Sequence, residues 1–389
     1  MRVVIYKGQF QYDVVNDFSY SIGNILENKG AEVIYVDLTS VSLRDDILKA
    51  FQQPVDFVLA FNGIGYELMY EDQSLYDFCN TVFVIWLVDH PAHLYERILA
   101  PIKNKIVICI DDTHVDYIEK HLDASIITSF IPHAVRQEPY YFNLTDKIYN
   151  LVFAGHIGGN EKHIEKIIEL EQKIPNLRQI ILQELSIEGN INLGNFMSML
   201  YKKQPILEIW VAQNPNLDSM ILHFVDRYIR TIKREHIIQG LLDEKIQIDF
   251  FGTIPENHVF LKSPYFNYHG ILEFNEMKSI FKQSKLVLNV LPNFPNGGHE
   301  RIFTSMICGA LPVTDTNVYI EQHLSNILSF NFKDFGLVAE RIRDLLENEQ
   351  QFEKLIWENY QLVSEQHIWE IRLEELLYVL EAAKQYFNN

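Results

Sequence analysis

Short apolar runs separated by helical stretches recur twice along the 389 residues, and this alternation limits the fold more than any other feature. In the first half the runs are RVVIY (2–6), EVIYVD (32–37), DFVLAF (56–61), VFVIWLV (82–88) and KIVICI (105–110). They are of strand length and largely apolar on both faces, whereas a half-solvated strand alternates apolar with polar. Such strands joined by helices require a parallel sheet covered on both sides. The pattern relaxes between His133 and Lys147, and a second alternation begins with YNLVFAG (149–155). A long helical stretch, about 161–243, interrupts it before IQIDFFG (246–252), YFNYHG (265–270), KLVLNVL (285–291) and ALPVTD (310–315). The expectation is an α/β protein of two domains, residues 1–140 and 148–367. The second carries a helical insertion at about 161–243, and a final helix occupies 368–389.

The stretch from Ser284 to Asn317 reads as strand, loop, helix, strand. PNFPNGG (292–298) is dense in turn formers, and Ile302, Phe303, Met306 and Ile307 form one apolar stripe of a helix that Gly309 caps. A glycine-rich turn feeding a helix N-terminus is a physical anion site, because free N–H groups and the helix dipole converge there. Gly297 and Gly298 supply the turn, and His299, Glu300 and Arg301 follow it. Arg301 suits a phosphate and Glu300 suits paired hydroxyls such as those of a ribose. The competing reading is a solvated helix start that carries a few charges.

Ligands of parallel sheets sit beyond the carboxyl ends of the strands. There lie the loop at Gly8, the NGIG turn (62–65), DHP (89–91) and DDTH (111–114). Asp89 and His90 are the candidates for a general base acting on an acceptor hydroxyl; the alternative is a helix cap beside a structural histidine. GHIGG (155–159) has the setting of a phosphate loop, with Gly155, His156 and Gly158 as candidates. His156 there either touches a diphosphate or satisfies a loop carbonyl. Neither a P-loop nor a complete dinucleotide fingerprint is present, and no spacing of histidines and carboxylates suggests a metal.

A net charge of −19 argues against general nucleic-acid binding, which needs basic surface. MILHFVDRYIRTIKR (220–234) is locally basic on one face and suggests either peripheral contact with an acidic acceptor or lipid surface, or a solvated helix face. Cys79, Cys109 and Cys308 lie in apolar contexts, as small buried hydrophobes of a reducing compartment do. The chain enters a strand at once, without a visible signal peptide. VFVIWLV is too short to span a bilayer, so a cytoplasmic address is expected.

The run GGHERIF…CGALPVTD resembles the donor-binding segment of GT-B glycosyltransferases, in particular the group 1 and CgeB-like branch. There a (H/N)-x-R-x-F helix precedes a small-Gly-Ala turn and a strand ending in Thr-Asp. WLVDHP (86–91), FIPHA (130–134) and FAGHIGG (153–159) resemble further segments of the same family. The resemblance implies a GT-B fold, with two Rossmann-like domains facing across a cleft and the last helix crossing back to the first. It implies metal-independent transfer from a nucleotide-sugar, with UDP-sugar the expected donor, to a protein, glycan or lipid acceptor, and no cofactor. It also implies that Tyr268, His269 and Gly270 frame the base and that Thr314 and Asp315 face the sugar. The sequence departs from the family at the Glu-x7-Glu pair of retaining members, where it carries Asn296 and Thr304. That departure leaves two rival readings, a non-catalytic binding or partner-stabilising protein and a UDP-sugar 2-epimerase.

Overall fold

The computed structural model describes residues 1–158, 161–214 and 216–387; Gly159 of the GHIGG loop lies outside the described residues, as do the side chains of Gln11, Glu161 and Glu188. The chain divides into two units, Met1–Arg136 with Ile368–Asn389, and Gln137–His367.

Six parallel strands form the sheet of the first unit: β1 (Arg2–Lys7), β2 (Glu32–Asp37), β3 (Phe57–Phe61), β4 (Val82–Trp86), β5 (Lys105–Cys109) and β6 (Ile127–Phe130), in the order β2-β1-β3-β4-β5-β6. The strands β3 and β4 are buried at every residue, as runs apolar on both faces require. The edge strand β6, half-buried throughout and carrying Thr128 and Ser129, is too short and too mixed to stand out as an apolar run. Helix α1 (Val14–Asn28) packs against the C-terminal helix of the chain, and Trp369 at the start of that helix lies 5.1 Å from Phe18 and 5.7 Å from Trp86 between ring centroids. Trp369 is fully buried, so the C-terminal segment completes the core of this unit.

The second unit has strands β7 (Tyr149–His156), β8 (Ile248–Thr253), β9 (Phe266–Tyr268), β10 (Ser284–Asn289), β11 (Leu311–Asp315) and β12 (Leu328–Phe330), all parallel, in the order β9-β8-β7-β10-β11-β12. The strand order reverses between β7 and β10, which makes their carboxyl ends the switch point where ligands of such sheets bind. Among its described residues the interruption at 161–243 consists of helices joined by short turns, and it ends in the 27-residue helix α2 (Leu217–Asp243). Ile237, Ile238, Leu241 and Leu242 anchor the end of α2 in the core under the sheet. Helix α3 (Glu300–Ile307) follows the 292–298 loop, with every residue except Arg301 buried. The C-terminal helix, α4 (Trp369–Phe387), belongs to the first unit. Among the described residues no helix is long and apolar enough to cross a membrane.

Candidate functional site

At the switch point of the second unit the sequence candidates come together. His299 caps α3 by accepting the Arg301 amide on Nδ1 at 3.3 Å, and the same nitrogen lies 2.5 Å from Glu300 Oε2. One nitrogen cannot accept from the backbone and donate to a carboxylate at once, so the two contacts belong to alternative protonation states. Burial holds the His299 pKa below its usual value against the pull of Glu300, with Arg301 and Arg234 adding to the depression; the neutral, capping form is favoured. Arg301 donates from Nη1 to Asn289 Oδ1 at 3.2 Å, at the end of β10, and its guanidinium sits 5.7 Å from the Phe153 ring centroid. A Cβ on Gly155 would lie 3.8 Å from Arg301 Nη2, so the arginine borders the end of β7 as well.

The loop entering α3 is held from beneath. Asn317 donates from Nδ2 to the carbonyls of Phe294 (2.7 Å) and Gly297 (2.8 Å). Gly298 lies under Phe303 and Tyr319, where a Cβ would meet ring carbons at 2.7 and 3.1 Å. Gly297 and Gly298 are buried and neither has a positive φ; Gly298 serves close packing of the turn. Gly158 does need its left-handed φ of 65°, and a Cβ there would press on Pro255 at 3.0 Å. His156 is half-buried, and its pKa is lowered first by burial and then by Arg234, with a backbone hydrogen bond to Gly158 opposing.

Thr314 and Asp315 are not presented at the surface. Thr314 is fully buried and accepts from Asn289 Nδ2 at 2.9 Å. Asp315 accepts the Leu291 amide at 2.8 Å and pairs at 2.7 Å with Lys233, whose side chain is 0% exposed. Sequence reasoning aimed these two residues at a sugar; their hydrogen-bonding partners make them the buttress of the site. Tyr268 is 45% exposed and stacks on Phe250, while His269 lies on Phe251 with rings 4.6 Å apart and hydrogen-bonds to Asp249 Oδ1 at 2.8 Å. Gly270 has φ 93° and its carbonyl accepts the Gly252 amide at 2.7 Å. These three residues line the edge of the sheet on the β9 side.

Helix α2 corrects a second expectation. Its basic face is turned inward and does not form a surface for lipid or an acidic partner. Lys233 is fully buried, Arg230 pairs with Asp226 at 2.7 Å, and Arg234 donates to the carbonyl of His156 with its guanidinium 6.0 Å from the Phe153 centroid. Arg234 is a candidate site residue that sequence reasoning missed. Its signal was the basic face itself, legible as charge but not as direction. A cavity of about 650 Å³ lies beside this region, lined largely by Leu182, Leu185, Ile232, Val259, Phe260 and Phe332. It contains none of the candidates and its apolar wall does not suit an anion.

In the first unit Asp89 and His90 follow β4. Asp89 is half-buried and accepts from Asn62 Nδ2 at 3.1 Å; Asn62 in turn accepts the Val88 amide at 2.8 Å, and its carbonyl takes Arg97 Nη1 at 2.7 Å. His90 is 3% exposed, accepts the Ala92 amide on Nδ1 at 3.1 Å and packs edge-on against His114 and Tyr117. It is thus a cap and core histidine, and Asp89 is the more accessible of the pair.

Residues 230–378 match a protein-family model described as Glycosyl transferase-like. No curated protein sequence matches the chain. Among solved structures, a sucrose-phosphate synthase from Thermosynechococcus elongatus aligns with a TM-score of 0.57 at 9% identity, over 100% of this chain and 99% of the other. HepE of Anabaena in complex with UDP and glucose aligns at 0.56 and 10% identity, over 98% and 100%. T4 phage BGT in complex with UDP and Mn²⁺ aligns at 0.52 and 9% identity, over 98% and 99%. The two six-stranded parallel sheets are those of the GT-B glycosyltransferase fold, and the segment carrying α3 is glycosyltransferase-like in sequence.

Proposed function

We propose that the protein is a glycosyltransferase, of the group 1 and CgeB-like branch, moving a sugar from a nucleotide-sugar to an acceptor hydroxyl of a protein, glycan or lipid. The expected donor is a UDP-sugar. The second unit holds the donor and the first unit receives the acceptor. The observation that carries this reading is Arg301, set at the start of α3 between the ends of β7 and β10 and bonded to Asn289. There the helix dipole and a guanidinium act on one spot, which stabilises a departing diphosphate without requiring a metal. Glu300 is placed beside it for the ribose. HepE, whose structure is a complex with UDP and glucose, shares the fold, which supports the choice of nucleotide. The address is cytoplasmic, and three free cysteines suit it.

The test is thermal stability with UDP, GDP, dTDP, CMP and NAD. A ligand that binds only the folded chain at 100 times its Kd adds about 2.7 kcal/mol to its stability. One nucleoside diphosphate is expected to raise the melting temperature, and Arg301→Ala is expected to weaken its binding roughly 10- to 100-fold, the worth of a charge-assisted hydrogen bond. No response to any nucleotide would remove this reading.

Asp89 is the general base of the reading. Asp89→Asn keeps the shape and the bond from Asn62 yet cannot take a proton, and kcat is expected to fall about 100-fold with nucleotide binding unchanged. Unchanged kcat would take Asp89 out of the mechanism. The replacement of the Glu-x7-Glu pair by Asn296 and Thr304, the latter 1% exposed inside α3, favours a second reading, a binding protein without turnover. Donor consumption in the presence of acceptors separates the two, and isomerised donor would indicate an epimerase.

A further inference from the structure

The helix Glu349–Gln366 packs along α3, and its outer face meets the segment 137–141. The meeting point lies by the C-terminal end of α3: a Cβ on Gly309 would be 3.1 Å from the Tyr141 carbonyl oxygen and 3.8 Å from Ile356. The candidate site lies at the opposite, N-terminal end of α3. Trp357 and Tyr360, three residues apart on one helical face, hold near-parallel rings, 18° apart with centroids 6.0 Å from each other. Tyr140 sets its ring 4.7 Å from Trp357 at 76° and 4.8 Å from Tyr360. Trp357 is 43% exposed and Tyr140 39%, so the rings brace one another and still keep area open to water. Exposed aromatic area gathered in one place marks an interaction surface. Polar groups edge it. Gln137 donates from Nε2 to the Tyr360 hydroxyl and to Ser364 Oγ, both at 3.3 Å, and the Tyr360 hydroxyl donates to the Glu138 carbonyl at 2.7 Å.

The charges around the rings select the partner. Burial and then Glu353 raise the Tyr140 pKa, which places a carboxylate beside the rings. Glu358 and Glu138 add two more, paired with Lys354 at 3.7 Å and Lys282 at 2.5 Å. Nucleic acid and anionic lipid call for basic surface, which this is not. Copies of a chain of net charge −19 repel each other. A neutral sugar carries C–H groups on the faces of its ring and hydroxyls around its edge. The faces settle on the negative face of an aromatic ring, and the hydroxyls bond to amides, hydroxyls and carboxylates. Two near-parallel rings offer one surface to each of two neighbouring sugars of a linear chain.

We propose that Trp357, Tyr360 and Tyr140 form a carbohydrate-binding platform for a neutral linear glycan, with Gln137 and Ser364 meeting its hydroxyls. The platform narrows the acceptor of the proposed transferase to a glycan held at a second point, and in that respect alone it rests on the transferase reading.

The test measures binding of cellohexaose, maltohexaose, mannohexaose, chitohexaose and glucose to the full chain by calorimetry, without any nucleotide. At least one hexasaccharide is expected to bind, and glucose, which covers a single ring, more weakly. Trp357→Ala is expected to raise the Kd of that hexasaccharide about 5- to 10-fold and Gln137→Ala about 3-fold, with Trp357→Phe between wild type and alanine. The melting temperature of Trp357→Ala and its response to UDP should stay those of wild type. A hexasaccharide that binds wild type and Trp357→Ala alike sits elsewhere and overturns the platform. So does a wild type that binds none of the five sugars. A wild type that is dimeric by light scattering while Trp357→Ala is monomeric gives the rings to a second copy, and that also overturns it. Should Trp357→Ala not fold, Trp357→Phe and Gln137→Ala decide: both binding as wild type refutes the platform. A chain that binds the glycan and no nucleotide refutes the donor reading and leaves the platform standing.

Discussion

Asp315→Ala is expected to destabilise the second unit by about 3–5 kcal/mol, because it leaves a lysine charge buried without its counter-ion. Lys233 has a fully buried side chain, and its partners are Asp315 at 2.7 Å and the amide oxygen of Asn190 at 2.5 Å. The substitution also strips the Leu291 amide of its acceptor at the start of the 292–298 loop. Burial lowers the Lys233 pKa, and Asp315 is the largest opposing influence. Without Asp315 the folded lysine titrates lower still, while the unfolded one keeps its ordinary value of about 10.4. Between those values the unfolded state binds more protons, so stability rises with pH and the deficit of Asp315→Ala narrows as pH climbs toward 10. Chemical unfolding of wild type and variant at pH 7 and 9 reads both effects. The double variant Lys233→Met with Asp315→Asn keeps an acceptor for Leu291 and removes both charges. It is expected to recover most of the loss, since replacing a buried pair costs far less than breaking it. A deficit below 1 kcal/mol at pH 7 would mean that the pair does not bear on stability.

The inner strands were legible because they are buried on both faces, and such strands read as unbroken apolar runs. β6 and β12 were not, being edge strands of three or four residues, too short to stand out as apolar runs. The α3 segment was legible for a different reason: a turn of glycines feeding a helix is a local pattern, and its chemistry follows from spacing. Arg234 was out of reach because its role depends on where a 27-residue helix lies against β7, which no local pattern encodes. Thr314 and Asp315 show the converse. At the end of a strand in such a sheet, polar residues are expected to meet a ligand, and only the partners Asn289 and Lys233 reveal that they hold the site together instead. His90 was open between base and cap, and its bond from the Ala92 amide settles its geometry as a cap.

Gly252→Ala is expected to be strongly destabilising. The register of β7 and β8 sets Gly252 opposite Gly155, and a Cβ on Gly252 would lie 1.7 Å from the Gly155 carbonyl oxygen and 2.8 Å from its carbon. That neighbour is backbone and cannot rotate away. Gly252 also has φ 145°, a conformation alanine rarely adopts, and its amide is committed to the Gly270 carbonyl at 2.7 Å. Relief requires the ends of β7 and β8 to part where His156 receives Arg234, so fold and site fail together. The cost expected is above about 4 kcal/mol, a range that few single substitutions reach. Gly155→Ala is the comparison, because its Cβ would meet side chains alone, the Phe153 ring at 3.3 Å and Arg301 Nη2 at 3.8 Å, and a loss of about 1–2 kcal/mol is expected. Unfolding curves of the two variants, read beside nucleotide binding, decide the matter. Equal and small losses would show that β7 and β8 tolerate separation at this point, and the close approach of the two glycines would then not be what shapes the floor of the site.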